Sequence, residues 1–588
     1  MGLQEEYKIL LQKHNMEIMD EHENISTVLR DLLSHFMSTH KRVAVYCYGA
    51  HTRALMAEYI FELRNIVCIV DNGNVEVKNK GFTVIQDQEI EGMRIDGVII
   101  SSYRYKEEIK SSLLKNHEGL DFLDLYDAMQ EQGISMQCEF YLFRTPYQSY
   151  VEMNRLYQKI DQRENVTEAL LKLVSKFVEI KDFQLAAKAA EALYDVSDEQ
   201  QYKVLKKDIE DLYQKELGVL NKGGEAVLLM CVDGLKAQEF CREGRMKKTY
   251  AAVKKKATIF TRAYSYSTST FESLIPVFTE NYDQRSEGYM KTTTASLADC
   301  RFATFAREQG RNIYIYGSGI KYIDDPEIKY IEYPQTITQM IWSFANDLES
   351  DPKGLFYMQP VYESHFTFPS PYYKQNDMEI DGTNLFYNYL STKGSKLNKR
   401  YSGQYDVAIR YVDDTLSPVL GELGCKTLLF ADHGDYDYEE IEGTNLGDID
   451  PNHIMACEAL FRIPMAIISP NESGEIHSVI SLSELNDIAI SMMKNEKFDY
   501  RAKEYIKVGR TAIYNADCKH IYKNILHSEH RLCAFEGFVF EGGYKLLVFS
   551  DGTKELYQTA EDVIVQNEEL TEKYYKRIEN ELTIFEKT

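Results

Sequence analysis

The feature that most constrains this chain is the recurrence of short, mostly apolar runs, each followed by a stretch with helical periodicity. RVAVYCYG (42–49), IVCIVDN (66–72) and GVIISSY (97–103) form a first set. AVLLMCV, TIFTRAY, NIYIYGSG, KYIEYP, GLFYMQP, KTLLFADH and PMAIISP form a second set after residue 222. Runs this short, without polar alternation, suit strands covered on both faces, and parallel neighbours require a crossover that a helix normally supplies. The spacing therefore predicts an α/β chain with two sheets: a small Rossmann-like domain over 41–146 and one large doubly wound sheet over 222–530.

Between and around these sheets the period changes. Residues 1–40 read as N-terminal amphipathic helices, with Ile9, Leu10, Ile18, Met19, Val28, Leu29, Leu32 and Leu33 at helical spacing. Residues 147–221 read as a helical connector, and 170–196 has the look of one tetratricopeptide-like hairpin, although a stable array takes about three repeats. Residues 531–588 read as short antiparallel strands with glycine-rich turns, closed by a helix.

At 588 residues the chain is too long for one core. Ninety-two acidic against 67 basic side chains give a net charge of −25, which disfavours nucleic acid and anionic lipid and means that an anionic substrate must be drawn in by a local cation such as a metal. No apolar run approaches the ~20 residues of a membrane span, and the opening MGLQEEYKILLQKHN lacks a signal-type apolar core, so the expectation is a cytoplasmic protein that does not span a membrane. The 10 cysteines include no CxxC pair, which fits reduced thiols rather than a disulfide framework.

Ligands of open α/β sheets gather at the carboxyl ends of strands. AVLLMCV ends in Asp233; TIFTRAY leads into Thr268, Ser269 and Thr270 ahead of a helix; KTLLFADH ends in Asp432 and His433. Two carboxylates, an imidazole and a hydroxyl make a ligand set for a divalent ion, Zn or Mn. Such an ion is what a threonine nucleophile needs: zinc lowers the pKa of bound water from 15.7 to about 7, and an alcohol responds in the same sense. A helix N-terminus beside it would hold a phosphoryl oxyanion. Each residue also has an ordinary structural role open to it, Asp233, Thr268 and Ser269 as helix caps and Asp432-His433-Gly434 as a plain turn.

These motifs resemble the alkaline phosphatase and sulfatase superfamily, over most of residues 225–585. VLLMCVDGLKAQEF (227–240) resembles its opening strand and metal-ligand turn, with Lys236 in place of the usual Arg. TSTFESLIP (268–276) resembles the nucleophile turn of phosphoethanolamine transferases, which implies Thr270 as catalytic nucleophile and Ser273 as a substrate-side residue. ADHGD (431–435), CEALFRIPMAIISP (457–470) and YKLLVFSDGTKELYQ (544–558) resemble, in order, the metal motif, the stretch that follows it and the small C-terminal subdomain. The resemblance further implies Asp233, Thr270, Asp432 and His433 as metal ligands, with Lys236, Ser273, His365 and His453 on the substrate side. No formylglycine motif is present, so sulfate ester hydrolysis is not expected.

CYGAHTRALMAEY (47–59) supplies only the middle glycine of G-x-G-x-x-G, but resembles small Rossmann-type domains beside sugar-modifying enzymes, with Asp71 ending the second strand and His51 and Arg53 as residues to test against an anion. The expected activity is transfer of a phosphoethanolamine- or phosphoglycerol-type group from a phosphorylated small-molecule or lipid donor to a glycan or sugar acceptor. The alternatives are a phosphodiesterase or phosphatase of the same superfamily, and a non-catalytic scaffold or nucleotide-sugar-binding protein. The helical segments are expected as packing or homo-oligomer surfaces.

Overall fold

The structure is a computed structural model. It describes the chain apart from residues 1, 17–20, 73–82, 133–147, 283–293, 331–334, 373–399, 437–455, 513–521 and 585–588, and scattered positions at 49–65, 103–104, 318–321 and 366–367. The chain forms two compact units, one of Glu17–Asn165 with Lys374–Thr383, the other of Met1–Met16, Val166–Tyr373 and Asn384–Thr588.

The smaller unit carries strands β1 (Val43–Tyr46), β2 (Ile66–Val70), β3 (Val84–Ile85), β4 (Gly97–Ile100) and β5 (Asp121–Asp124), all parallel in the order β3-β2-β1-β4-β5. Alternate residues of β1 explain why the runs read as apolar throughout. Val43 and Val45 pack with Leu29, Leu33, Phe36, Tyr59 and Met129. Ala44 and Tyr46 pack on the other face with Ile109 and Leu113. Both faces are covered, so neither can be polar.

The larger unit is built on a mixed sheet. Its strands are β6 (Val227–Val232), β7 (Ala257–Tyr264), β9 (Ile313–Tyr316), β11 (Lys329–Tyr330), β12 (Leu355–Val361), β13 (Lys426–Phe430), β14 (Arg462–Ile463), β15 (Met465–Ile468) and β16 (Gly474–Ser481). The order is β11-β9-β12-β6-β13-β15-β7-β14, with β16 also on β7. β11, β9, β12, β6 and β13 are mutually parallel, β15 runs antiparallel between β13 and β7, and β7 therefore points the same way as β6, β12 and β13. The carboxyl ends of these four strands share one edge. Every residue of β6 is buried, as a central strand requires. A two-stranded ladder of β8 (Ala295–Ser296) and β10 (Ile323–Asp324) stands apart.

Helices Val166–Glu179, Phe183–Ser197 and Gln200–Asn221 form an antiparallel helical layer of the same unit. Asp182 caps the second of them through Leu185 N and accepts a bond from the Tyr411 hydroxyl at 3.0 Å. The Thr338 hydroxyl donates to Ile180 O, so the turn between the first two helices is pinned to the sheet-covering helices Ile337–Ser350 and Arg400–Glu422. The first helix, Leu3–Lys13, docks here too. Tyr7 packs against Phe183 and Trp342, and Leu3 N donates to Glu349. Residues 1–40 are thus divided, since the following helix Glu21–Thr39 packs in the smaller unit.

The C-terminal part is a five-stranded antiparallel sheet, β17 (Tyr505–Arg510), β18 (Phe535–Phe540), β19 (Tyr544–Phe549), β20 (Lys554–Gln558) and β21 (Val563–Ile564), with helix Glu568–Tyr575 against it. Its first strand lies ahead of residue 531. A buried ion pair, Lys545 to Glu458 at 2.7 Å, ties it to the helix before β14, and the Tyr264 hydroxyl donates to the same carboxylate.

Candidate active site

Asp233, the segment after β7 that leads to Thr270, His365 and Asp432-His433 follow the four strands that end on one edge. Asp233 and Asp432 are fully buried and His433 nearly so. One oxygen of Asp233 and one ring nitrogen each of His365 and His433 lie within 4.8 Å of one another. His433 Nε2 is 3.4 Å from Asp233 Oδ1, 3.6 Å from Asp432 Oδ2 and 3.4 Å from Thr270 Oγ1.

Local sequence explains the convergence. Gly234 takes φ +64, a left-handed turn, and its bare Cα leaves the space between His365 and His433 open. A Cβ on Gly434 would lie 1.8 Å from Ala459 O, so the chain after His433 passes another backbone too closely for any side chain. His433 Nδ1 contacts Gly434 O at 2.5 Å. Donation to that carbonyl assigns the proton to Nδ1 and leaves the Nε2 lone pair toward the carboxylates and Thr270.

The electrostatics call for a cation. Among the described residues, neither Asp233 oxygen accepts a hydrogen bond, nor does Asp432 Oδ2, and Asp432 Oδ1 accepts only a 3.3 Å bond from Gly234 N. Burial first, then the charges of Asp432 and Asp435, push the Asp233 carboxyl well above the ordinary carboxylate range. Buried carboxylates without donors are costly unless paired with a cation or metal. The donor set, carboxylate oxygens with imidazole nitrogen and an adjacent hydroxyl, fits a divalent metal ion.

Thr270 opens helix Thr270–Thr279, and Ser269 before it makes no side-chain capping bond. First-turn amides of a helix are donors for an anion. The turn is braced from within: Ser273 is buried, and its hydroxyl bonds the backbone N and O of Ser267 at 3.0 and 2.9 Å. Lys236 is buried as well, with Nζ 3.1 Å from Tyr436 O and 4.7 Å from the centre of the Tyr405 ring, so it grips the loop that follows His433. His453, like His51 and Arg53, lies outside the described residues. Asp71 Oδ2 accepts from Tyr48 N. Asp435, which acts on Asp233, is an acid that strand-end logic passes over; its signal was its place two residues after His433.

Among the described residues no helix is long and apolar enough to cross a membrane. The family model described as C2185-like, N-terminal, matches residues 39–119. No curated protein matches the chain. Solved structures similar to it include the phosphonate monoester hydrolase of Agrobacterium radiobacter, with 12% identity, 61% of this chain and 95% of that one covered, and a TM-score of 0.42. The soluble domain of lipooligosaccharide phosphoethanolamine transferase A from Neisseria meningitidis is similar at 17% identity, covering 47% of this chain and 90% of that one, with a TM-score of 0.33. The C-terminal periplasmic domain of EcEptC from Escherichia coli, in complex with Zn, is similar at 15% identity, covering 47% and 83%, with a TM-score of 0.33.

Proposed function

We propose that the larger unit is a metal-dependent phosphotransferase working through a phospho-Thr270 intermediate. The observation that carries this is the convergence of a threonine hydroxyl at a helix N-terminus, His433 Nε2 and the buried carboxylates of Asp233 and Asp432, which together accept one long hydrogen bond among the described residues. Asp233, Asp432, His433 and Thr270 would hold the divalent ion, with His365 beside them. Bound there, the ion supplies charge neutralisation and stabilises the threonine alkoxide.

Thr270 Oγ1 attacks phosphorus, and the bond from phosphorus to the donor's alcohol oxygen breaks with its electron pair on that oxygen, which takes up the threonine proton. A sugar hydroxyl or water then attacks the phosphorus of phospho-Thr270, the bond from phosphorus to Oγ1 breaks with its electron pair on Oγ1, and Oγ1 takes up the acceptor's proton. The first-turn amides of helix Thr270–Thr279 receive the phosphoryl oxygens, and His365 faces the leaving or entering group. His453 belongs to the same substrate side in this proposal.

The cargo is proposed to be a phosphoethanolamine- or phosphoglycerol-type group, the acceptor a glycan or its precursor, and the place of action the cytosolic side. The smaller unit is read as Rossmann-like, which its parallel strand order supports. The test is metal content of the purified protein beside hydrolysis of bis-(p-nitrophenyl) phosphate. Bound Zn or Mn with activity abolished in Thr270→Ala is the expected result; no metal and an active Thr270→Ala would sink the proposal. Product analysis with and without a sugar acceptor then separates transferase from hydrolase.

A further inference from the structure

Glu272 lies two residues after Thr270, outside every ligand or substrate role described above. Its carboxylate is gripped from two sides. Ser267 Oγ, in the turn before the helix, donates to Oε2 at 2.8 Å, and Thr511 Oγ1, from the residue following β17, donates to Oε1. The adjacent Arg510 is buried, and the charge of Glu272 acts on its guanidinium. A backbone bond from Gly509 N to Tyr266 O at 2.7 Å reinforces the same junction. Side chains two apart on a helix leave it about 200° apart. Locking Glu272 on one side therefore fixes the rotation at which Thr270 leaves the other.

We propose that Glu272 is a positioning residue for the nucleophile, a clamp through which the C-terminal sheet sets the direction of Thr270 Oγ1 toward His433 Nε2. This rests on the reading of Thr270 given above. Glu272 stands inside the TSTFESLIP segment at a position to which the motif assigns no role, Thr511 lies far outside it, and the small sheet acquires a part in catalysis without touching substrate.

The test compares wild type, Glu272→Ala, Glu272→Gln and Thr511→Val, with Thr270→Ala alongside, for kcat and KM on bis-(p-nitrophenyl) phosphate, bound metal and melting temperature. A misplacement of the nucleophile by about 1 Å costs roughly 100-fold, so Glu272→Ala should lose about 10- to 100-fold in kcat with KM and bound metal unchanged. Glu272→Gln keeps an acceptor for Thr511 and should recover most of the loss, while Thr511→Val should show a smaller loss in the same direction. Wild-type kcat in Glu272→Ala, or a loss that follows falling metal content, overturns the clamp if Thr270→Ala is inactive. An active Thr270→Ala overturns the nucleophile assignment and the clamp with it.

Discussion

Replacing Asp233 by Asn should stabilise the chelated protein, and that advantage should shrink or reverse once metal is supplied. Asp233 is fully buried, among the described residues neither of its oxygens accepts a hydrogen bond, and Asp432 and Asp435 add repulsion. Its folded pKa is raised, so the folded state holds a proton that the unfolded state gives up. Stability is then greatest below the ordinary carboxyl range and falls as pH rises through that range toward the raised value. Asparagine has no such slope. Leaving a buried polar group unpaired costs about 1–3 kcal/mol. Taking about 2 kcal/mol, and about 1 °C per kcal/mol for a unit as large as the one that holds Asp233, at about 2.1 cal/mol/K per residue, the chelated variant should melt roughly 2 °C above wild type near neutral pH and converge with it in acid. With metal at about 100 times its Kd, wild type gains about 2.7 kcal/mol, and the variant, one anionic ligand short, gains less. The assay is thermal melting with EDTA and with Zn or Mn across the acid-to-neutral range. A chelated Asp233→Asn that melts at or below wild type at every pH refutes the cation cradle.

Two further predictions follow from buried charges elsewhere. Glu216 is buried beside Asp182; burial first and then the Asp182 charge push it up to about 8, so its stability contribution is kept in acid and lost as pH rises from the ordinary carboxyl value toward about 8. Glu216→Gln should therefore flatten that slope and raise the unfolding free energy near pH 8, by an upper limit of about 5 kcal/mol, which urea titrations at both ends of the range would measure. Lys545→Met leaves the Glu458 carboxylate buried without its cation and should cost about 3–5 kcal/mol, while Lys545→Met with Glu458→Leu should recover much of it; equal stability of the two variants in denaturant melts would contradict a paired charge.

Most of the strands that the sequence shows have both faces buried, the short edge strand β11 being an exception. β6, β7, β9, β12, β13 and β15 read as apolar runs because they sit inside the large sheet. β16 (GEIHSVIS) is exposed or half-exposed through its first half and carries charge, so it hides among loops. β14 is two residues long. The ligand candidates Asp233, Thr270, Asp432 and His433 were legible because each follows a strand, and strand direction alone then brings them to one edge. What the sequence could not reveal is side-chain commitment. Lys236 and Ser273 look like substrate groups in a motif, yet the fold occupies them with Tyr436 O and the Ser267 backbone. Glu272 and Thr511 are 239 positions apart, and no local pattern announces that they meet.

The division of the larger unit around the smaller one has a consequence for how the chain is made. Helix Leu3–Lys13 buries Leu3, Tyr7 and Leu10, but Leu3 N meets Glu349 across a separation of 346 residues. At roughly 5–20 residues per second of synthesis, the partner emerges about 17–70 s after the helix. During that interval Glu17–Asn165 of the smaller unit is produced, whereas its Lys374–Thr383 segment follows Glu349, and the apolar face of the helix meets Phe183 first and Trp342 later. The contacts that seal helix Leu3–Lys13 are thus split between a nearer partner, Phe183, and distant ones, Trp342 and Glu349.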